Sequence, residues 1–283
     1  MTQKVTPDMV KELRERTGVG MGKCKEALDQ ASGDMEKAIE FLRKAGMASA
    51  VKKEGRETNE GLIAAGEGRE AVALVEVNAE TDFVTQNEKF KLFLQELAHE
   101  AAESRASTVD ALLNRKFHKD PSITWDQHRA LVIQSLGENI QVRRLLLLPK
   151  THDTSIGLYS HMGGKIVAVV VLSGGQGQEA LARDIAMHVA AEAPEYLRAE
   201  QIPHEVRSKE EEIARSQVQG KPEDIANKIV QGKYKAFCDE VCLLGQKYVK
   251  DNTLSVSGLL EKESKRLNKQ IAIASFYRWK VGG

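Results

Sequence analysis

The chain has 283 residues, enough for about two domains of ordinary size. Its 41 basic and 41 acidic side chains cancel, which argues against a protein that binds nucleic acid through a general positive charge. The longest apolar run, residues 166–172, is too short to cross a membrane, and the first residues contain no apolar signal segment. Three cysteines without the spacing of a disulfide framework indicate a reducing compartment. The sequence therefore predicts a cytoplasmic protein that contacts neither membranes nor nucleic acid directly.

The first segment, residues 1–46, has the pattern of a small three-helix module. Thr6 suits the N-cap of a helix and Pro7 its first position. Apolar residues then recur at helical spacing in two further stretches, and Gly46 is predicted to end the third helix. The polar residues 47–60 that follow are predicted to form a linker.

The rest of the chain shows one pattern twice. In residues 61–149, an apolar hairpin is followed by a long amphipathic helix, a second helix and a final strand. Residues 150–199 and 236–283 repeat this order. The sequence therefore predicts an α+β fold with two related subdomains and antiparallel sheets. The repetition lies in the pattern and not in residue identity.

A polar segment, residues 200–235, interrupts the second copy. It is highly charged, and thin apolar stripes lie on either side of a break at Gly220-Lys221-Pro222. Two such stripes joined by a glycine–proline turn predict an antiparallel helical hairpin that protrudes from the body. A solvated excursion with no partner fits the same pattern.

The connection between the first apolar hairpin and its helix is the candidate functional site. A strand-like run ends near Val77 and a helical pattern begins at Phe90, so Thr81 to Val84 lie on a turn, where a Thr81 or Asp82 side chain can cap the helix. Phe83 either tucks into the core or protrudes with Asp82 from a rigid corner. An exposed aromatic side chain beside a carboxylate suits insertion into a partner's pocket. The pattern alone leaves both alternatives open.

Motifs for catalysis or cofactor binding are weak or missing. Residues 175–180 follow a strand and open a helix, as a dinucleotide-binding turn does, but the acid expected about 20 residues later does not follow a parallel strand. Walker-type loops, His-x-x-x-His pairs and Gly-x-Ser-x-Gly motifs are missing, and Cys238 and Cys242 lack a second pair for zinc. His161 and His188 are by default structural histidines. The sequence predicts no enzyme, no cofactor and no metal, with a small dinucleotide enzyme as the weaker alternative.

Several segments resemble the bacterial elongation factor Ts family, and they occur in the family's order over nearly the whole chain. These segments are Glu76-Val77-Asn78 with Thr81-Asp82-Phe83-Val84; residues 10–18 with Met21, Cys24, Lys25, Ala27 and Leu28; Gly137-Glu138-Asn139-Ile140 with Arg143-Arg144; and residues 185–190. The resemblance implies that the N-terminal module is ubiquitin-associated-like. It also implies a non-enzymatic nucleotide exchange factor that acts on elongation factor Tu, a GTPase.

The resemblance assigns expected roles to individual residues. Asp82 and Phe83 would wedge into the partner's nucleotide domain and disturb its Mg²⁺ environment, while Thr81 and Val84 would hold the corner in shape. Further partner contacts would come from Arg14, Met21, Lys25, Leu136, His161, Met162 and Gly163. A hairpin at residues 200–235 would take part in self-association to a homodimer.

Two departures from the family pattern bear on that interface. Gly22 stands where the family often has a second methionine, and the chain stops at Gly283, whereas many members continue into a C-terminal helix that meets the partner. A competing hypothesis is a structural or chaperone-like binding module. In that case the helical head recognises a peptide or a ubiquitin-like fold while the rest of the chain dimerises.

Overall fold

The computed structural model describes residues 4–283 and divides into two compact units. The first unit contains the chain up to Pro149 together with residues 163–165 and 280–283, and the second unit contains residues 150–162 and 166–279. Each unit has its own apolar core. Helices and antiparallel strand pairs occur in both, so the predicted α+β class is confirmed.

The first unit begins with three helices, α1 (Pro7–Thr17), α2 (Met21–Gln30) and α3 (Met35–Lys53). The Thr6 side chain accepts a hydrogen bond from the Met9 backbone N–H at 3.3 Å, as its N-cap position predicts. The three helices enclose a core of their own, in which Leu13, Cys24, Leu28, Ala38 and Leu42 are buried.

The remainder of the first unit is a three-stranded sheet covered by helices. Its elements in chain order are β1 (Glu60–Glu67), β2 (Ala71–Ala79), α4 (Asp82–Gln86), α5 (Glu88–Ser104), α6 (Val109–Leu113), β3 (Lys116–Phe117), β4 (Asp120–Thr124), α7 (Trp125–Leu136) and β5 (Ile140–Pro149). The sheet order is β1-β2-β5, and both strand pairs are antiparallel. Strand β2 lies in the middle and is buried along its whole length, so the corner that follows it leaves from the best-supported strand of the sheet.

The predicted end of α3 at Gly46 is wrong. A Cβ atom at Gly46 would lie 3.3 Å from the Leu131 side chain, so the glycine lets α3 approach α7 closely. Beyond it, Ala50 is buried in the main core of the unit. This packing outweighs the low helix propensity of glycine. The helix therefore occupies half of the predicted linker, residues 47–60, and only residues 54–59 connect it to β1.

Aromatic side chains fill the core between α5, α7 and the small β3–β4 hairpin. The Phe117 ring lies 4.8 Å from the Trp125 ring, edge to face, and stacks on His128 with ring centroids 4.0 Å apart. Burial disfavours the charged imidazolium and lowers the pKa of His128 to about 4. His128 is therefore neutral at physiological pH and serves as part of the aromatic stack.

A buried carboxylate on β2 holds the last residues of the chain, which belong to the first unit. Glu76 has no exposed surface, and its Oε2 accepts a hydrogen bond from Arg144 Nε at 2.7 Å. Its Oε1 accepts a hydrogen bond from the Gly282 backbone N–H at 3.0 Å. A buried charge needs such partners, because an unpaired carboxylate in the core is strongly destabilising.

The second unit contains another three-stranded sheet. Its elements are β6 (Thr154–His161), β7 (Ile166–Ser173), α8 (Glu179–Glu192), α9 (His204–Ser216), α10 (Glu223–Val241), β8 (Lys247–Tyr248), β9 (Asp251–Ser255), α11 (Val256–Leu267) and β10 (Ala272–Lys280). The sheet order is β6-β7-β10. Helices α9 and α10 form the hairpin expected at residues 200–235, but α10 continues six residues beyond that range to Val241.

His188 on α8 is a fully buried structural histidine. Its Nδ1 accepts a hydrogen bond from the Val249 backbone N–H at 3.2 Å, so the proton lies on Nε2, which donates to Gln246 Oε1 at 3.0 Å. Burial lowers its pKa and keeps the ring neutral. Among residues 4–283, no helix is both long enough and apolar enough to span a bilayer.

Candidate functional site at the strand-to-helix corner

The corner after β2 presents an aromatic side chain to solvent. Phe83 is 85% exposed, the largest exposed fraction among the large apolar side chains that the structure leaves at the surface. Asp82 beside it is also exposed, and its carboxylate makes no hydrogen bond or ion pair within residues 4–283. Val84, by contrast, is buried in the main core of the first unit. The alternative in which Phe83 tucks into the core is therefore wrong, and Val84 holds the corner down instead.

The capping predicted for Thr81 or Asp82 does not occur. Thr81 occupies the N-cap position of α4, but its side chain accepts no hydrogen bond from that helix. The long helix α5 starts separately, at Asn87, whose side chain accepts a hydrogen bond from the Lys89 backbone N–H at 2.9 Å. The corner is thus a short helical turn between a strand and a long helix, which the sequence pattern did not predict.

Thr81 instead donates two hydrogen bonds, from its backbone N–H and its hydroxyl, to a glutamate on another loop. Its backbone N–H lies 3.0 Å from Glu138 Oε2, and its hydroxyl lies 2.6 Å from Glu138 Oε1. In the opposite direction, the Asn139 backbone N–H donates to Glu80 Oε1 at 2.6 Å. Glu80 and Thr81 after β2 are therefore hydrogen-bonded to Glu138 and Asn139 before β5, and each turn supplies one glutamate as the acceptor. Charge-assisted hydrogen bonds of this kind are the stronger ones in proteins.

The N-terminal module presents the three side chains expected there. Arg14 on α1, Met21 on α2 and Lys25 on α2 are all exposed, and Met21 has half of its surface in solvent. Met21 and Lys25 are four residues apart and therefore lie on one face of α2. Gly22 next to them has open space around it, with no atom within 4 Å of an added Cβ.

Hydrogen bonds that the sequence did not predict dock this module on the rest of the first unit. Lys89, in the first turn of α5, donates from Nζ to the Gly18 carbonyl at 2.5 Å and to Ser135 Oγ at 2.8 Å. Ser135 also donates to the Gly18 carbonyl, at 3.0 Å. A second contact joins Lys23 Nζ to the Gln134 carbonyl at 3.2 Å. The end of α1 is thus fixed to the helix that follows the corner.

The remaining expected contact residues differ in exposure. Leu136 is half-buried and packs against the main core of the first unit. His161 and Met162 are exposed in the second unit, and Met162 shows 70% of its surface. Gly163, which follows them, is also exposed and adopts the left-handed region at φ 65°. His161 and Met162 therefore leave an imidazole and a thioether at the surface of the second unit, and the centroid of the Tyr159 ring lies 6.2 Å from that of His161.

The glycine-rich turn before α8 is explained by packing. A Cβ atom at Gly174 would lie 1.9 Å from the Gln270 carbonyl, and the backbone there has φ 103°. One at Gly175 would meet Lys269 Nζ at 3.0 Å. Strand β7 before the turn pairs antiparallel with β6, unlike the strand of a dinucleotide-binding unit. Close backbone approach therefore requires the glycine at Gly174, and positive φ favours glycine at Gly175 and Gly177. The turn lacks the context of a nucleotide site.

Groups suited to chemistry are few in the part of the chain that the structure describes. Residues 4–283 contain no cluster of three or more His, Cys, Asp or Glu side chains placed to hold a metal ion. Cys24, Cys238 and Cys242 are free thiols. Burial raises the pKa of Cys242 to about 11, and burial also raises that of Cys24. Both are therefore protonated near neutral pH and poor nucleophiles.

Comparison with known proteins identifies the family. A family model described as "Elongation factor TS" matches residues 80–283. The elongation factor Ts of Protochlamydia amoebophila is 56% identical over 278 residues, covering 98% of this chain and 99% of the relative. The elongation factor Ts of Chlamydia trachomatis serovar L2 is 45% identical over 275 residues, covering 97% of this chain and 98% of the relative. The one from Chlamydia felis is 44% identical over the same length.

These matches span both units and include the exposed corner at Asp82 and Phe83. Both the family model and the full-length relatives agree with the resemblance in the sequence segments. The chain belongs to the elongation factor Ts family of translation elongation factors.

Proposed function

We propose that this protein is the guanine-nucleotide exchange factor of elongation factor Tu and promotes the release of GDP from it. The observation that carries the proposal is the corner at Asp82 and Phe83, where an aromatic anchor and an unneutralised carboxylate are exposed together. Aromatic side chains of this kind dominate the binding energy of many interfaces.

The physical requirement on such a factor is differential affinity. It must bind the nucleotide-free GTPase more tightly than the GDP-bound form, and linkage then requires GDP to weaken its binding by the same ratio. Phe83 inserted between elements of the nucleotide domain would favour the displaced arrangement of the Mg²⁺ and phosphate site. The Asp82 carboxylate, brought near that site, would disfavour retention of the phosphates through like-charge repulsion.

Three further surfaces would complete the contact with elongation factor Tu. On the N-terminal module, Arg14 and Lys25 place positive charge on either side of the flexible Met21. His161 and Met162 of the second unit, and Gly163, which follows them, would meet a distal domain of the partner. Leu136 would contribute through its exposed edge. Under this proposal the chain acts in the bacterial cytosol, supplies no chemical step of its own and needs no cofactor.

Release of fluorescent GDP from elongation factor Tu tests this function. With the protein present, we expect release to accelerate with protein concentration and to saturate. Release at the unassisted rate would contradict the proposal. A structural or chaperone-like module would also bind elongation factor Tu differently, because GDP and Mg²⁺ would not dissociate its complex.

We also propose that the α9–α10 hairpin mediates self-association. Its two helices pack on each other through Ala214, Val218 and Val230, whereas Ile213 and Ile225 remain 42% and 49% exposed. Exposed aliphatic side chains on a polar hairpin suit a second copy of the same surface. Sedimentation velocity of Ile213→Ser/Ile225→Ser tests this: we expect a shift to monomer, and an unchanged oligomer would rule out a dimerising hairpin.

A further inference from the structure

The corner that carries Asp82 and Phe83 is held by groups from outside its own segment. Helix α4 has only five residues and no side-chain N-cap, so it has little stability of its own. Phe83 is 85% exposed, and within residues 4–283 the exposed Asp82 carboxylate makes no hydrogen bond or ion pair that could fix it. Val84 and Thr85 are buried and anchor the far side of the turn. The near side, at Thr81, is held through Glu138.

Glu138 uses both carboxylate oxygens on Thr81. One oxygen accepts the backbone N–H at 3.0 Å and the other accepts the hydroxyl at 2.6 Å. These two bonds fix the position of the Thr81 backbone and the rotamer of its side chain. Because Asp82 is the next residue, they also fix the direction in which the chain enters α4.

The reciprocal bonds make this arrangement a closed frame. Glu80 accepts the Asn139 backbone N–H at 2.6 Å, and the buried Asn139 side chain donates to the Arg56 carbonyl at 3.0 Å and the Glu54 carbonyl at 3.4 Å. Three chain segments therefore meet around the corner. None of these bonds is local in sequence, since Thr81 and Glu138 are 57 residues apart.

The frame rests on rigid elements. Glu138 follows Gly137, which ends α7 in the left-handed region at φ 86°, and α7 starts with a complete capping box at Thr124. Immediately after the frame, Ile140 on β5 pairs with Ala79 on β2. A carboxylate mounted between a capped helix and a paired strand has little freedom to move, so it can hold a neighbouring turn in one conformation.

We propose that Glu138 is a positioning residue for exchange: it holds Asp82 and Phe83 in the orientation that the GTPase recognises, without contacting the partner's nucleotide site itself. This inference rests on the exchange function proposed above. A corner held in its bound conformation avoids the entropy cost of ordering the wedge during binding. Its loss affects the step in which the wedge acts more than the docking of the N-terminal module.

Two variants and a control test the role of Glu138. Glu138→Ala removes both acceptors, whereas Glu138→Gln retains one oxygen acceptor and should restore part of the effect. Glu70→Ala is the control, because Glu70 is an exposed carboxylate in the same unit whose ion pair within residues 4–283 is with the exposed Arg105. Two quantities are measured: amide hydrogen exchange of residues 81–84 in the isolated protein, and fluorescent GDP release from elongation factor Tu.

For Glu138→Ala we expect amide exchange within residues 81–84 to be about tenfold faster at Thr81, whose N–H loses its acceptor, and the melting temperature to fall by only about 2–4 °C. The maximal rate of GDP release should fall about tenfold, while the half-saturating concentration changes less than about threefold. Glu138→Gln should lie between Glu138→Ala and the wild type, and Glu70→Ala should match the wild type.

The possible failures are distinguishable. If the wild-type protein accelerates GDP release and Glu138→Ala matches it in both amide exchange and maximal rate, the positioning role is wrong. The positioning role is also wrong if the maximal rate of GDP release with Glu138→Ala falls only as much as its folded fraction falls, and if Glu138→Gln restores none of the rate. A wild-type protein that fails to accelerate release contradicts the exchange function instead.

Discussion

The two units build the same sheet but end its middle strand in different ways. Orders β1-β2-β5 and β6-β7-β10 arise from the same sequence of hairpin, helix, small hairpin, helix and strand. Both hairpins also use a glycine where the first strand approaches the following helix: a Cβ at Gly66 would lie 1.9 Å from the Ala98 carbonyl, and one at Gly157 would lie 2.1 Å from the Ala182 backbone. The scaffold is therefore shared down to individual close contacts.

The connection after the middle strand is where the copies differ. In the first unit it is the helical corner with exposed Phe83, held by Glu138. In the second it is a glycine-rich turn, residues 174–177, in which three of four residues have positive φ. The connection after the middle strand is thus held by hydrogen bonds and presents an exposed aromatic side chain in the first unit. In the second unit the same connection is a glycine-rich turn without an aromatic side chain. We infer that the first copy carries the wedge and the second supports a different contact.

The two small hairpins show that the repetition also exists in residue identity. Three residues are identical, Lys116, Lys119 and Asp120 in one copy and Lys247, Lys250 and Asp251 in the other, and the aromatic Phe117 corresponds to Tyr248. Each aspartate accepts a backbone N–H from the residue two positions later, at 3.1 Å in both copies. In both copies the lysine before the aspartate pairs with an acid on the long helix that follows the large hairpin. Lys119 pairs with Glu96 on α5, and Lys250 pairs with Asp184 on α8. The prediction that the copies share only a pattern is wrong at this place.

The largest expected effect comes from the buried charge that distinguishes β2 from the apolar β7. We expect Glu76→Ala to lower the free energy of unfolding by about 3 kcal/mol, because it leaves Arg144 without its buried carboxylate partner. Urea denaturation followed by circular dichroism measures this. The control Glu70→Ala should cost less than about 1 kcal/mol. Equal stability of the two variants would mean that the Glu76 pair is not needed for the first unit.

The second prediction concerns the wedge itself. We expect Phe83→Ala to lower the rate of GDP release from elongation factor Tu about 30-fold, corresponding to about 2 kcal/mol of lost interface energy. Thermal stability should be nearly unchanged, because Phe83 is 85% exposed. The matched control is Gln176→Ala in the corresponding connection of the second unit, which should release GDP normally. If both variants behave alike, the difference between the two connections has no functional meaning.

The third prediction uses His128, the half-buried histidine in the aromatic stack of the first unit. Because the pKa of His128 is about 4 when folded, against an ordinary value of 6.5, the unfolded chain takes up a proton first as the pH falls. Stability is therefore present above pH 6.5 and declines as the pH falls toward 4, by about 2 kcal/mol between pH 7 and pH 5.

Chemical denaturation of the wild type and His128→Phe at both pH values isolates this contribution. The variant should lose about 2 kcal/mol less than the wild type over that interval. His188→Phe serves as a comparison, because burial also lowers the pKa of His188 in the second unit. An unchanged pH dependence in His128→Phe would show that the ring is not held neutral by burial.

The smallest expected effect concerns the docking of the N-terminal module. Lys89→Met removes the ammonium that binds the Gly18 carbonyl and Ser135, so the end of α1 should be held less firmly, although Ser135 and Lys23 keep their own hydrogen bonds. We expect the half-saturating concentration for GDP release to rise about fivefold, corresponding to about 1 kcal/mol, with a nearly unchanged maximal rate. Lys91→Met is the control, because Lys91 pairs only with exposed Glu88. An equal shift in both variants would contradict a docking role for Lys89.

Sequence patterns were sufficient for the elements that bury a continuous apolar stripe. The hairpin, long helix, second helix and final strand predicted for each copy all occur in the predicted order. The helical turn α4 and the two-residue strands β3 and β8 were missed, because elements this short contain no periodicity. The predicted end of α3 at Gly46 is wrong because the helix continues by packing on Leu131, which lies 85 positions away in the sequence.

The candidate site was predictable only in part. The position of Asp82 and Phe83 at a strand-to-helix connection followed from the pattern, but their exposure did not, since the pattern alone favoured a Phe83 tucked into the core. In the sequence, Glu138 stands out only as part of a segment that resembles the elongation factor Ts family. Its role as the acceptor for Thr81 depends on the pairing of β2 with β5, and no local signal in the sequence reports that pairing.

The central claim is that Phe83, on its fixed corner, distinguishes the nucleotide-free GTPase from its GDP-bound form. The most direct test measures the affinity of the wild type and Phe83→Ala for elongation factor Tu, without nucleotide and with saturating GDP and Mg²⁺. We expect the wild type to bind the nucleotide-free form at least about tenfold more tightly than the GDP-bound form, and we expect this ratio to shrink in Phe83→Ala. The same ratio in both proteins would show that Phe83 contributes equally to both states, and it would contradict the account.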